Sequence, residues 1–182
     1  MASKGSGEAE IRIIKTLTAK EIEELTEIVN TAYTIGEKGF WVPQWRRTTV
    51  SELATLINEG KLVGCFLNNR PVGCVRTFLV TDKEAEFGML AMDTAHLGTG
   101  LGKDLVQFVE DMWRAQGVEK LQLDVVVPRT WVSDSKEFLK GWYGRRGYIN
   151  QRTRKLEELE GTQSFLAQLV TEVDVLSYTK VL

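Results

Sequence analysis

A chain of 182 residues has the length of one domain of roughly 150 residues, and its 43% hydrophobic and 26% charged content exclude a disordered or fibrous protein. Twenty-three basic against twenty-five acidic residues leave a formal charge of −2, so no basic field would hold the protein on nucleic acid or on an anionic membrane. No run of about 18 apolar residues and no signal peptide occurs, so a cytoplasmic (cytosolic or nucleoplasmic) protein is expected, with residues 1–10 a disordered tail or cloning remnant and 11–182 one domain.

Ile11-Arg12-Ile13-Ile14 alternates and is β-branched, which predicts a first strand. Thr18 with Glu21 three residues on is a capping-box signature. Ile22, Leu25, Ile28 and Val29 then recur at helical spacing and carry a helix to the region of Tyr33 and Gly36. The next stretch, from Gly39 to Arg47, has no period; it holds Phe40, Trp41 and Trp45 and reads as a loop that is either a core plug or a pocket wall. Leu53, Leu56 and Ile57 make a short second helix between Thr49 and Gly60. Residues 62–67 and 72–80 are β-rich and, joined through Asn68-Asn69-Arg70-Pro71, form an antiparallel hairpin. A strand over 86–92, a glycine turn, a long helix carrying Leu105, Val109 and Trp113 to Gly117, and a strand over 121–127 stopped by Pro128 make a strand-helix-strand crossover. Ser133 or Ser135 caps a further helix toward Gly147, followed by a strand at 148–152, a helical stretch at 165–169 and a last strand at 173–181.

Cys65 and Cys74 flank the hairpin turn without a CxxC, so they are expected to be reduced, buried thiols. With His96 as the single histidine, triads and zinc clusters are excluded and no metal is expected. Gly98-Thr99-Gly100-Leu101-Gly102-Lys103 lies between a strand and a helix, where the first helical N–H groups lack partners and glycine lets phosphate oxygens approach the backbone. An NTPase phosphate loop would need Gly in place of Leu97 and Ser or Thr in place of Asp104. A dinucleotide fingerprint would need GxGxxG in the first turn of a parallel repeat.

The run Met89-Leu90-Ala91-Met92-Asp93, this loop, the helix carrying Leu105, and Trp142-Tyr143-Gly144-Arg145-Arg146-Gly147-Tyr148 together resemble the GNAT superfamily of acyl-CoA-dependent N-acetyltransferases. The order of elements fits from Ile11 to Val181. Two positions depart from the family pattern: Leu97 replaces an Arg or Gln, and Lys136 stands seven residues before Tyr143 where many members have Asn. The resemblance implies a mixed α/β fold, a twisted sheet of about seven strands flanked by helices with splayed central strands. It implies acetyl-CoA as cosubstrate, an amine acceptor of small-molecule or peptide type, and compatibility with a homodimer. Leu90 and Met92 would offer backbone groups to the acetyl carbonyl and pantetheine arm. Leu97, Gly98, Thr99, Gly100, Leu101, Gly102 and Lys103 would hold the pyrophosphate, with Lys103 adding charge.

Acyl transfer to an amine needs the neutral amine, and an acceptor of pKa about 10.4 is only about 0.04% neutral at pH 7, a cost of roughly 4.6 kcal/mol. By the resemblance Glu86 is the general base, with residues 86, 88, 90 and 92 sharing one strand face; a solvent-facing glutamate beside Glu84 is the other reading, and Asp124 on the neighbouring strand is the reserve. Tyr143 corresponds to the family tyrosine that protonates or hydrogen-bonds the departing thiolate. Full transfer from a phenol to a thiol is uphill by about 2 kcal/mol, so the hydrogen bond is at least as plausible as the proton. Tyr33, Phe40, Trp41 and Trp45, with Asp124, are the candidate acceptor-binding residues, core or lid packing being the alternative for each aromatic. Arg46-Arg47, Arg145-Arg146, Arg152, Arg154 and Lys155 are basic clusters that are either solvated or face an acidic acceptor or the CoA 3′-phosphate. The expected function is acetyl transfer to a primary amine by direct attack in a ternary complex; a non-catalytic acyl-CoA-binding sensor or scaffold is the alternative.

Overall fold

In the computed structural model, which describes residues 9–159 and 162–182, the elements follow in the order β1 (Ala9–Ile13), α1 (Ala19–Gly36), α2 (Val50–Asn58), β2 (Leu62–Leu67), β3 (Arg70–Thr81), β4 (Glu84–Met92), α3 (Leu101–Ala115), β5 (Lys120–Pro128), α4 (Asp134–Arg145), β6 (Ile149–Lys155), α5 (Gln163–Leu166) and β7 (Val173–Val181). Residues 1–8 lie outside the described residues, and with them most of the expected tail. Ala9 and Glu10, assigned to that tail from sequence, instead open β1, because Leu67 and Phe66 of β2 supply their ladder partners.

Local chemistry sets the element ends. At the start of α1 the Thr18 N–H donates to Glu21 Oε2 at 2.7 Å and the Glu21 N–H returns a bond to Thr18 Oγ1 at 3.3 Å, a reciprocal capping box. Thr49 caps α2 by accepting from the Glu52 N–H at 3.1 Å. Between β2 and β3, Asn68 and Asn69 have φ of +51° and +62°, the left-handed pair that a two-residue hairpin turn requires.

The seven strands form one mixed sheet in the order β1-β2-β3-β4-β5-β7-β6. All neighbours are antiparallel except β4 and β5, which run parallel and pair only from Glu84↔Lys120 to Glu86↔Gln122. Beyond Glu86 the two strands part. Within β4, Cys74 of β3 faces Ala91 while Arg76 faces Gly88, so Met89 and Leu90 together oppose Val75. Met89 sits at φ +52°, and this bulge moves the side chains to the other face of the sheet. Ala85 and Phe87 pack in the cluster with Leu105, Val109 and Tyr143, whereas Met89 and Ala91 pack with Leu25, Val29 and Leu53. Leu90 and Met92 return to the α3 layer. The expected common face for 86, 88, 90 and 92 is therefore corrected: period two holds only up to the bulge.

Three cores result, one under α3 and α4, one under α1 and α2, and a third of Phe40, Leu156, Val173 and Val175. Phe40 is fully buried. Its ring meets Trp131 edge-on at 5.5 Å, so of the two sequence readings it is the core plug, and its place in a pocket wall is withdrawn. Cys65 and Cys74 are free, buried in different cores, and burial pushes the Cys74 thiol up to about 12. Fully buried Glu110 accepts from Lys180 Nζ at 2.7 Å, Tyr148 Oη at 3.0 Å and Arg146 Nη2 at 3.1 Å, tying α3 to β7 and the end of α4.

Candidate active site

Where β4 and β5 separate, their facing edges lose their ladder partners. The Asp93 N–H bonds Val72 O at 2.8 Å on the β3 side, so strand alternation turns the Met92 N–H toward the gap. The chain then makes one 3-10 turn over Thr94–His96 and enters α3 through Gly100, which sits at φ +94° with no side-chain cap. Gly98 is also left-handed, at φ +75°. Among the described residues, the N–H groups of Gly98, Thr99, Leu101, Gly102 and Lys103 meet no protein acceptor; the first α3 amide with one is that of Asp104, which donates to Gly100 O at 3.0 Å. Thr99 turns its hydroxyl back to His96 O at 2.6 Å and leaves the loop amides untouched. A Cβ added at Gly98 or Gly100 would meet nothing within 4 Å, so the space outside these amides is open. Unpaired amides at the positive end of a helix dipole suit a diphosphate.

Cavity size does not mark this site. A cavity of about 1320 Å³ runs beside the loop between α1 and the β2–β3 turn, and its Glu23, Glu24, Glu27 and Asp93 oppose a phosphate. A smaller one of about 280 Å³ lies between α3 and α4, lined by Lys103, Gln107, Trp142, Arg145, Arg146 and Lys180. Glu110 engages Arg146 and Lys180 there. Lys103 and Arg145 form no ion pair among the described residues, so this cavity extends the positive field of the loop.

Two titratable groups flank the gap from opposite faces. Tyr143, on α4, is buried against Phe87, Trp142, Tyr148 and Tyr178 on the α3 side. Burial raises its phenol pKa, and the charge that Tyr33 of α1 would carry when ionised adds to the rise. Glu86 stands on the α1 side, 3.4 Å from Arg76 Nη2 and 3.3 Å from Gln122 Nε2. Burial raises its carboxyl above the usual range, and Arg76 partly offsets that. Asp124, more exposed, accepts from Ser177 Oγ at 2.7 Å and from Arg154 Nη2 at 3.3 Å.

The aromatic loop splits in function. Trp41 and Trp45 stack at 4.2 Å and stay half-buried, and Trp41 Nε1 donates to Glu37 Oε2 at 2.6 Å. Tyr33 lies under the Arg47 guanidinium at 5.2 Å. Glu37 also receives Lys136 Nζ at 2.7 Å in a pair only 6% exposed on each side, so the residue standing in the family's Asn position spends its charge inside the protein. Beside it, Ser135 Oγ donates to Gly36 O, fastening the end of α1 to the start of α4. Neither Glu37 nor Arg76 was singled out from sequence; both pairings join positions on different elements, which spacing does not reveal.

A family model of acetyltransferases, described as the GNAT family, matches residues 22–132, more than half of the chain and the span that holds the splayed parallel pair, the β4 bulge and the glycine entry into α3. The chain belongs to the GNAT acetyltransferase family. It is thus an acyltransferase of that family. Among curated protein sequences none matches it. Its GNAT fold is similar to that of PaiA N-acetyltransferase from Thermoplasma acidophilum in complex with coenzyme A, with TM-score 0.67 and 16% identity over 96% of this chain and 99% of that one. It is also similar to the ribosomal-protein-S18-alanine N-acetyltransferase from Escherichia coli, with TM-score 0.65 and 15% identity over 96% and 94% of the two chains. A GNAT family acetyltransferase from Elizabethkingia anophelis with acetyl-CoA bound gives TM-score 0.65 and 14% identity over 98% and 100%. At such identities the likeness is one of fold. No described helix of this GNAT protein is long and apolar enough to cross a membrane.

Proposed function

We propose that the protein transfers the acetyl group of acetyl-CoA to a primary amine by direct attack within a ternary complex. The observation that carries this reading is the set of unpaired amides from Gly98 to Lys103 at the mouth of the β4–β5 gap. They suit the diphosphate, with Leu97 at the loop's edge, while the free edge of β4 at Leu90 and Met92 suits the pantetheine arm. Lys103 and Arg145 suit the 3′-phosphate in the cavity between α3 and α4. Acetyl-CoA supplies the activated acyl group.

Glu86 accepts a proton from the acceptor ammonium, its raised pKa bringing it closer to the pKa of that group. The freed nitrogen lone pair forms the bond to the acyl carbon as the carbon–sulfur bond breaks. The second nitrogen proton passes to the departing sulfur as the amide forms. Tyr143 donates a hydrogen bond to the departing sulfur, which ends as the thiol; a phenol made harder to ionise by burial stabilises thiolate more readily than it surrenders its proton outright. Tyr33, Trp41 and Trp45 line the acceptor side.

Thiol release from acetyl-CoA, followed over a panel of amines, tests the reading. Acceptor-dependent thiol is the expected result. Tight acetyl-CoA binding without thiol release for any amine would replace this reading with that of an acyl-CoA sensor.

A further inference from the structure

On the face that carries α1 and α2, the two helices cover β2 to β4, and the aromatic loop together with Leu156, Leu166 and Leu169 covers the C-terminal half of β5 and its neighbours. Among the described residues, neither hydrophobic cluster of this face includes the N-terminal half of β5. Across it runs a row of charges from four strands: Arg76 of β3, Glu86 of β4, Asp124 of β5 and Arg154 of β6. Arg76 Nη2 lies 3.4 Å from Glu86 Oε1, and Arg154 Nη2 lies 3.3 Å from Asp124 Oδ2 and 2.8 Å from Ser177 Oγ.

The order is cation, anion, anion, cation. The two carboxylates therefore occupy the centre of the row, on adjacent parallel strands, with a guanidinium on the outer side of each. Gln122, the residue between them, offers an amide and no charge. Asp124 is among the causes that raise the Glu86 pKa, and Arg154 among those that lower it, so the four groups sense one another. Both ion contacts are long for guanidinium–carboxylate pairs, which prefer about 2.7–2.9 Å and bidentate geometry. Arg76 and Arg154 each keep a buried Nε with no acceptor. A centre of two carboxylates favours a cation between them; the flanking guanidinium with spare donors favours an anion beside it. Arg76 is paired with the base itself and lies against the Phe78 ring at 5.0 Å, whereas Arg154 pairs through Nη2 with Asp124 and Ser177, so Arg154 is the guanidinium that can meet a ligand without unpairing the base.

The geometry points to a zwitterionic acceptor, a free amino acid whose ammonium group sits between Glu86 and Asp124 and whose carboxylate is held by Arg154. This rests on the acetyl-transfer reading above and narrows it: a peptide amine lacks the adjacent carboxylate, and a polyamine would place a second cation against Arg154.

Matched acceptors test it on the full chain: the proteinogenic amino acids, their primary amides and the corresponding decarboxylated amines, assayed by thiol release from acetyl-CoA. The expected result is an amino acid whose kcat/KM exceeds that of its amide by about 10- to 100-fold, the range of a charge-assisted hydrogen bond. Arg154→Met should raise KM for the acid more than for the amide, so that the acid-to-amide ratio falls toward one whatever change through Asp124 and Glu86 the two acceptors share; Arg154→Lys should restore part of the ratio. Amides or plain amines that equal or exceed the acids in the unaltered protein would overturn the zwitterion and leave acetyl transfer standing, with no variant needed. An Arg154→Met effect equal on acid and amide would likewise overturn the assignment of Arg154. Thiol release with no amine of any kind would remove the acetyl-transfer reading itself, and this one with it.

Discussion

Glu86 and Tyr143 face the same gap from opposite sides of the sheet. Phe87, one residue after Glu86, has its ring 6.1 Å from that of Tyr143, so the alternation of β4 puts the carboxylate on the other face. In the proposed mechanism this keeps the group that takes a proton from the incoming amine apart from the group that meets the departing sulfur.

Glu86→Gln should lower kcat by about 100-fold or more, the usual worth of a positioned base. Because burial raises the folded pKa of Glu86, and the base acts when ionised, the acid limb of kcat/KM should lie above the ordinary glutamate value of about 4.3. The stability sign is opposite to that of a salt-bridged carboxylate. The folded carboxyl binds its proton more tightly than the unfolded one, so stability falls as pH rises from the unfolded to the folded pKa, and Glu86→Gln should flatten that slope. A pH–rate profile unchanged by the substitution would move the base elsewhere.

Tyr143→Phe removes one hydroxyl from a packed ring and should keep the thermal midpoint and the affinity for acetyl-CoA while lowering kcat by roughly 100-fold. Since burial drives the phenol pKa up, the unaltered enzyme should show no alkaline limb from this group. Turnover equal to that of the parent at every pH would take Tyr143 out of the chemistry.

Lys103→Ala and Arg145→Ala should each weaken the binding of CoA and leave that of dephospho-CoA little changed, by calorimetry at fixed ionic strength, if the cavity between α3 and α4 takes the 3′-phosphate. Equal losses for both ligands would place their charge on the diphosphate instead.

Lys136→Met should destabilise the fold by about 3–5 kcal/mol, because it leaves Glu37 buried beside Trp41 without its cation. The double variant Glu37→Gln with Lys136→Met should recover much of the loss in denaturant titration. If the double variant is no more stable than Lys136→Met, the pair does not act as a unit.

Most of the fold is legible from local chemistry. Thr18 with Glu21 marks the start of α1, Asn68-Asn69 the hairpin, and Gly100 the entry to α3, because each is a short-range requirement on φ or on an orphan N–H. The bulge at Met89 is not legible, since nothing in a methionine announces a left-handed φ; it arises where β4 must serve β3 on one side and leave β5 on the other. Phe40 is equally mute within a loop that has no period, and its burial depends on Leu156 and Val175 far along the chain. Lys136 stood out only as a departure from the family pattern, while Glu37, its partner 99 residues away, left no local trace. The glycine loop is legible because its glycines and the orphan amides ahead of α3 are local features of the chain.

The central claim is that the loop amides leading into α3 receive the cosubstrate. Amide chemical shifts of a ¹⁵N-labelled sample titrated with acetyl-CoA address it residue by residue. Large shifts at Gly98, Thr99, Leu101, Gly102 and Lys103, saturating at the affinity that calorimetry gives, are predicted; saturation with those five signals unmoved would contradict the account.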